Sequence, residues 1–238
     1  MPGPEISIVH AADVLVWRVG RATDPWAWID PRYAGGQRWD DPNKVFRTIY
    51  AADSPFACYV EILASLRPDR PGGRDLLEDI IEDPDDAADY PVPPAGVVDP
   101  LWIAGKKISH AILSGAYADV RSASTIATLR PRFLRLALAL GFDDFDASAL
   151  KRAFPRELTQ HVAGHLYDLL TDDGEPLVDG VRFASRHGDE LAMWAIFERP
   201  GDEPSSRRVK DAEGHLVSLD DPDLLRAVEL HHLILPTT

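Results

Sequence analysis

Cysteine is almost missing from this chain: Cys58 is the only one in 238 residues. An intramolecular disulfide is thereby excluded, and so is a structural zinc site built on thiolates. Long apolar runs are also missing. None approaches the roughly 20 residues that a membrane-spanning helix needs. Basic residues are scarce beside acidic ones, 25 Lys and Arg against 39 Asp and Glu, which gives a formal net charge of −14. Such a surface repels nucleic-acid phosphates and anionic lipid, so neither direct nucleic-acid binding nor membrane binding is expected. The opening Met-Pro-Gly-Pro-Glu lacks a basic segment followed by an apolar one. No secretory signal is expected, and the chain reads as cytoplasmic.

The charge that is present is uneven. Glu78, Asp79, Glu82, Asp83, Asp85, Asp86 and Asp89 crowd one proline-rich stretch, which reads as a solvated loop, with a docking surface for a basic partner as the alternative. The first third instead gathers Arg18, Arg21, Arg32, Arg38 and Arg47. A local arginine group in an acidic protein suits a pocket for a small anion, because guanidinium forks match phosphate oxygens.

Apolar patterning alternates between strand and helix signals. Residues 14–19 and 45–51 read as strands, separated by a loop with Pro25, Pro31, Gly35 and Gly36. Asp53-Ser54-Pro55 is a helix start, a capping side chain followed by proline at the first helical position, and the helix is expected to run to about Leu66. Further expectations are a strand at 107–113 and a helix at 126–140 closed by Gly141. One or two helices follow within 147–170, divided at Pro155. A strand pair is expected at 181–184 and 193–197, a weak strand at 216–219 and a last helix at 221–231. Strands dispersed among helices favour an α+β fold with a mixed sheet in one domain over 1–238.

Several catalytic signatures are incomplete. His161 and His165 stand one helical turn apart, as in zinc proteases, but Val162 occupies the place of the general-base glutamate, and no metal site is expected. No Gly-x-Gly-x-x-Gly follows a strand, no phosphate-binding loop occurs, and no Gly-x-Ser-x-Gly elbow is present. Cys58, three residues before Glu61, reads as a packing residue, since a nearby carboxylate raises a thiol pKa.

Glu61 is a lone acid in an otherwise apolar helix. Phe56, Tyr59, Val60, Leu63 and Leu66 form the apolar stripe, and Glu61 lies off its centre. Its neighbours three and four places away, Ala57, Cys58, Ala64 and Ser65, are all small and leave room above the carboxylate. Spacing alone leaves two readings open, a surface glutamate and an active group.

Four segments bear on that choice. They are Leu15-Val16-Trp17-Arg18, Gly35-Gly36-Gln37-Arg38-Trp39, the run from Ile49-Tyr50 through Ser54-Pro55 to Glu61, and Asp179-Gly180-Val181-Arg182-Phe183-Ala184-Ser185-Arg186. In this order they resemble the RES domain, a family named for its arginine, glutamate and serine. Gln37 is interposed in the family's Gly-x-Arg-Trp loop, and Phe183 replaces its more usual tyrosine. The match covers about a third of the chain and leaves a long, poorly matched middle insertion at about 68–177.

The resemblance implies an ADP-ribosyltransferase-like fold, a split mixed β-sheet with surrounding helices. It implies NAD+ as substrate, with no further cofactor. Characterised relatives break the nicotinamide–ribose bond and release ADP-ribose to water or phosphate, or pass it to a protein. Many are toxins of toxin–antitoxin pairs, neutralised by a small helical antitoxin protein. Carried onto this chain, Glu61 would stabilise the ribosyl transition state, with Arg18 and Tyr50 also catalytic, and Arg38, Trp39 and Ser185 would contact the substrate. Such a step builds oxocarbenium character on the ribose and sends nicotinamide away neutral, so one carboxylate suffices. Protein ADP-ribosylation and a catalytically inactive NAD-binding or regulatory module are the alternatives, and self-association into a homo-oligomer is compatible with the sequence.

Overall fold

A computed structural model describes residues 5–68 and 95–236. The acidic run from Glu78 to Asp89 lies outside the described residues.

Six strands form one mixed sheet: β1 (Ile8–Arg21), β2 (Thr48–Ala52), β3 (Lys106–Asp119), β4 (Gly180–Ser185), β5 (Gly188–Phe197) and β6 (Val209–Leu216). Their order is β1-β2-β5-β4-β3-β6, and β1 also pairs with β3. β2 and β4 run antiparallel to β5, while β3 and β4 run parallel. The α+β expectation with a mixed sheet is met. The split implied by the family resemblance is corrected, because continuous pairing joins all six strands. β3 lies within the stretch expected as an insertion, yet it pairs with β4, so that stretch supplies part of the sheet.

Among the described residues, six α-helices accompany the strands: α1 (Pro55–Leu63), α2 (Pro100–Ala104), α3 (Ala123–Ala139), α4 (Ala147–Lys151), α5 (Glu157–Tyr167) and α6 (Pro222–Leu230). The helix expected to reach Leu66 is α-helical to Leu63 and continues as a 3-10 turn over Ala64–Leu66. The cis Phe154–Pro155 bond falls between α4 and α5, at the expected division. The weak strand expected at 216–219 is corrected to β6, which ends at Leu216. β6 is an exposed edge strand carrying Lys210, Asp211 and Glu213. Backbone pairing rather than apolar side chains defines it, and its charges discourage pairing with another sheet.

The chain groups into two compact units. Among the described residues, the first comprises 5–18, 26–53 and 110–213. β5 is central there, and every residue from Leu191 to Phe197 is buried. That explains its unbroken apolar run, since a strand covered on both faces has no polar side to present. Val16, Trp26, Trp28, Ile49, Tyr117, Trp194 and Ile196 pack in one core cluster. Gly180 opens β4, where a Cβ would stand 2.0 Å from the Ala195 carbonyl oxygen, so only glycine permits this pairing.

Among the described residues, the second unit comprises 19–25, 54–68, 95–109 and 214–236, and within it α1 packs on α6. Ser54 caps α1, its Oγ accepting the Ala57 amide at 3.2 Å, with Pro55 at the first position as the sequence indicates. Tyr59 donates to Asp221 at 2.8 Å, and Asp221 in turn caps α6 by accepting from Asp223 and Leu224. Arg226 lies over the Phe56 ring at 4.0 Å. Among the described residues, no helix is long and apolar enough to cross a membrane.

Candidate functional site

In the first unit, Arg18 and Trp39, both singled out from the sequence, converge on Tyr50. β2 delivers Tyr50, and β1 delivers Arg18, whose Nη1 donates to the Tyr50 carbonyl at 2.6 Å. The Tyr50 hydroxyl donates to Asp40 Oδ1 at 2.8 Å and accepts the Trp39 amide at 3.0 Å. Burial pushes the Tyr50 hydroxyl well above the ordinary tyrosine range, and Asp40 acts in the same direction. The phenol is therefore a neutral donor at any physiological pH, suited to hydrogen bonding and not to acting as a base.

Asp40 is the residue that sequence reasoning missed. It is buried, and its Oδ2 accepts the amides of Gly35 at 3.2 Å and Gln37 at 2.9 Å. Gln160, on α5, closes the same loop from the other side by donating to the carbonyls of Gly35 and Gln37 at 2.8 and 3.1 Å. Gly35 has φ +94°, a left-handed conformation that suits glycine. The Gly35–Trp39 loop is thus built by backbone hydrogen bonds to two side chains. An aspartate close after two glycines is a turn signal in the sequence; Gln160 offers none.

Arg38 and Trp39 leave this loop in different directions. Arg38 Nη1 donates to the carbonyls of Leu150 and Lys151, both at 3.3 Å, at the end of α4. Its guanidinium lies over the Phe183 ring at 4.9 Å. A cation at a helix carboxyl end is favoured by the exposed carbonyls there. Trp39 is fully buried, with its ring 5.7 Å from that of Phe183. Its Nε1 is buried and has no hydrogen-bond partner. Tyr50 meets Phe183 edge-on at 6.4 Å. Phe183, at the position where the family resemblance expects tyrosine, is the hub of this aromatic group.

Trp39 and Phe183 also line a cleft of about 440 Å³ with Val120, Arg121, Leu150 and Lys151 among its other walls. That volume lies within the usual range for small-molecule sites. The charges around it are paired. Arg121 forks onto Asp119 at 2.9 and 2.8 Å, and Lys151 is paired with Asp189. Burial works against the Asp119 charge, but the Arg121 hydrogen bonds outweigh it and hold that carboxyl below the ordinary range.

Ser185 does not join the Tyr50 group by any hydrogen bond. It is fully buried at the end of β4, and its Oγ accepts the His187 amide at 2.9 Å within the turn to β5. Arg186 is exposed. Asp53, at the end of β2, accepts from Trp194 Nε1 at 2.5 Å and faces Arg182 at 3.5 Å.

In the second unit, Glu61 sits in the last turns of α1. The residue is half-buried, and Ala57, Cys58 and Ala64 beside it are buried. Its Oε1 is buried and accepts no hydrogen bond. An unsatisfied buried carboxylate oxygen is costly, by roughly 1–3 kcal/mol or more for a charged group. Among the described residues, four buried side-chain atoms lack a partner. Two of the four belong to residues already singled out from the sequence, Trp39 and Glu61.

His161 is exposed and His165 half-buried on α5. Among the described residues, no group of three or more His, Cys, Asp or Glu side chains comes together in a way that would hold a metal ion. Compared with family models, with curated proteins and with solved structures, the chain finds no match.

Proposed function

We propose that this protein consumes NAD+ by cleaving the nicotinamide–ribose bond and releasing ADP-ribose to water or phosphate, as the toxin of a toxin–antitoxin pair. The observation that carries this reading is the buried, unpartnered Oε1 of Glu61. An acceptor of that kind suits hydroxyl donors from a ribose, since none of the described residues donates to it. In the proposed step the C1′–N bond breaks and its electron pair stays on the nicotinamide nitrogen, neutralising it. The ribosyl cation is held by the Glu61 charge until water or phosphate attacks C1′, and an attacking water sheds its proton to solvent.

On the family resemblance, Arg18 and Arg38 would contact the pyrophosphate, Tyr50 the nicotinamide end and Trp39 another part of the substrate; Ser185, fully buried with its Oγ on the His187 amide, is not carried forward as a contact. Tyr50 suits its role because its hydroxyl stays neutral and is oriented by Asp40.

Nicotinamide release from NAD+, with and without phosphate, tests the proposal. Wild type is expected to turn over, and Glu61→Gln to lose about 100-fold or more of kcat while melting like wild type, the size of loss seen when one electrostatic stabiliser is removed. Equal rates for the two proteins would exclude Glu61 from the chemistry. Absence of release by wild type would overturn the enzymatic reading.

A further inference from the structure

α1 ends beside a buried histidine. His231, at the carboxyl end of α6, is 2% exposed. Its Nε2 lies 2.8 Å from the carbonyl of Val60, the residue before Glu61, and its Nδ1 lies 2.8 Å from Nε of Arg67. An arginine Nε–H only donates, so Nδ1 must be the bare acceptor and the ring proton must sit on Nε2, donating to Val60. The ring therefore bridges the last turn of α1 to Arg67 only while it is neutral. A second proton would face the Arg67 N–H, breaking that bond and setting two cations side by side.

We infer that His231 is a positioning residue for Glu61: the neutral ring ties the last turn of α1 to Arg67, and protonation at Nδ1 breaks the Arg67 side of that bridge and sets two cations together, so that turnover falls on the acid side. This rests on the role given to Glu61 above, whereas the anchoring itself does not. The groups facing the ring act in both directions. Burial holds His231 below the ordinary histidine range, and Arg67 and His232 push the same way, while the Val60 carbonyl and Glu61 oppose them. The unfolded chain thus takes up the proton first. The stability contributed by the neutral ring is complete above the unfolded value of about 6.5 and is lost as pH falls through the lower folded value.

The test joins imidazole ¹⁵N spectra of the wild type, melting curves across pH, and kcat and KM for NAD+ cleavage in Wild type, His231→Gln and His231→Ala. The spectra should show the Nε2–H tautomer; an Nδ1–H tautomer overturns the inference. Glutamine keeps a donor for Val60 and takes up no proton, so the acid limb of kcat should move down by at least one pH unit. An unmoved limb overturns the pH role. Alanine should lower kcat about 10-fold or more with little change in KM, since small displacements of a reacting group are costly. Wild-type kcat in His231→Ala overturns positioning. If the wild type releases no nicotinamide at any pH, the enzymatic reading falls, and with it the link to turnover. The tautomer and the pH dependence of melting then still decide the anchoring.

Discussion

Removing the Asp40 carboxylate should loosen the Gly35–Trp39 loop and Tyr50 together. Asp40 is 6% exposed and accepts three hydrogen bonds, from the Gly35 amide, the Gln37 amide and the Tyr50 hydroxyl. A buried hydrogen bond contributes about 1 kcal/mol net, and more when the acceptor is charged. Asp40→Ala is therefore expected to cost about 3 kcal/mol. For a chain of this size that lowers the melting temperature by roughly 6–12 °C. Tyr50→Phe removes one of the same bonds and also strands the Trp39 amide, for about 1–3 kcal/mol.

Because the two substitutions share a bond, the double variant should lose less than the sum of the singles, by about 1.5 kcal/mol. Urea unfolding of the wild type, both singles and the double gives this coupling directly. Asp40→Asn, which keeps the shape but turns one acceptor into a donor, should fall between wild type and Asp40→Ala. Singles that add to within about 0.5 kcal/mol would refute the bond as an energetic link. The same four proteins and Asp40→Asn can be assayed for nicotinamide release. A Tyr50 that acts only when held by Asp40 predicts that Asp40→Asn lowers kcat nearly as far as Tyr50→Phe.

Gly180→Ala should destabilise the β4–β5 pair by roughly 3 kcal/mol, since its Cβ would meet the Ala195 backbone oxygen at 2.0 Å and only backbone movement can relieve it. An unchanged melting midpoint would refute this. Glu198 accepts from Arg47 at the backbone amide (3.0 Å) and at Nε (2.7 Å), and these bonds outweigh burial to hold its carboxyl below the ordinary range. The stability this confers is present above the unfolded value of about 4.3 and is lost as pH falls through the lower folded value. Glu198→Gln is accordingly expected to melt lower at neutral pH and to show a shallower acid decline; parallel melting curves for the two proteins would count against it.

Much of the local structure was legible because it depends on near neighbours. Ser54-Pro55 marks the start of α1, and Gly141 takes positive φ where the sequence places a helix end. The strand pair at 181–184 and 193–197 was readable from β5's apolar run, which its central place explains. β6 was misplaced because its side chains are exposed and carry no pattern; only its partner strand defines it.

For the candidate site, the sequence by itself determined the residue types and their order: Arg18, Arg38, Trp39, Tyr50, Glu61 and Ser185. It also determined that Glu61 stands among small neighbours, because helical periodicity depends on spacing alone. Tertiary structure decided what each of these groups touches. Arg18 is turned onto the Tyr50 carbonyl, Ser185 is buried under the His187 amide, and Asp40 holds the Tyr50 hydroxyl. It also decided that Glu61 Oε1 is buried without a donor and that His231, 170 positions after Glu61, closes the last turn of α1. Hydrogen bonds and burial join residues far apart in the chain, and no local pattern encodes which distant donor will arrive.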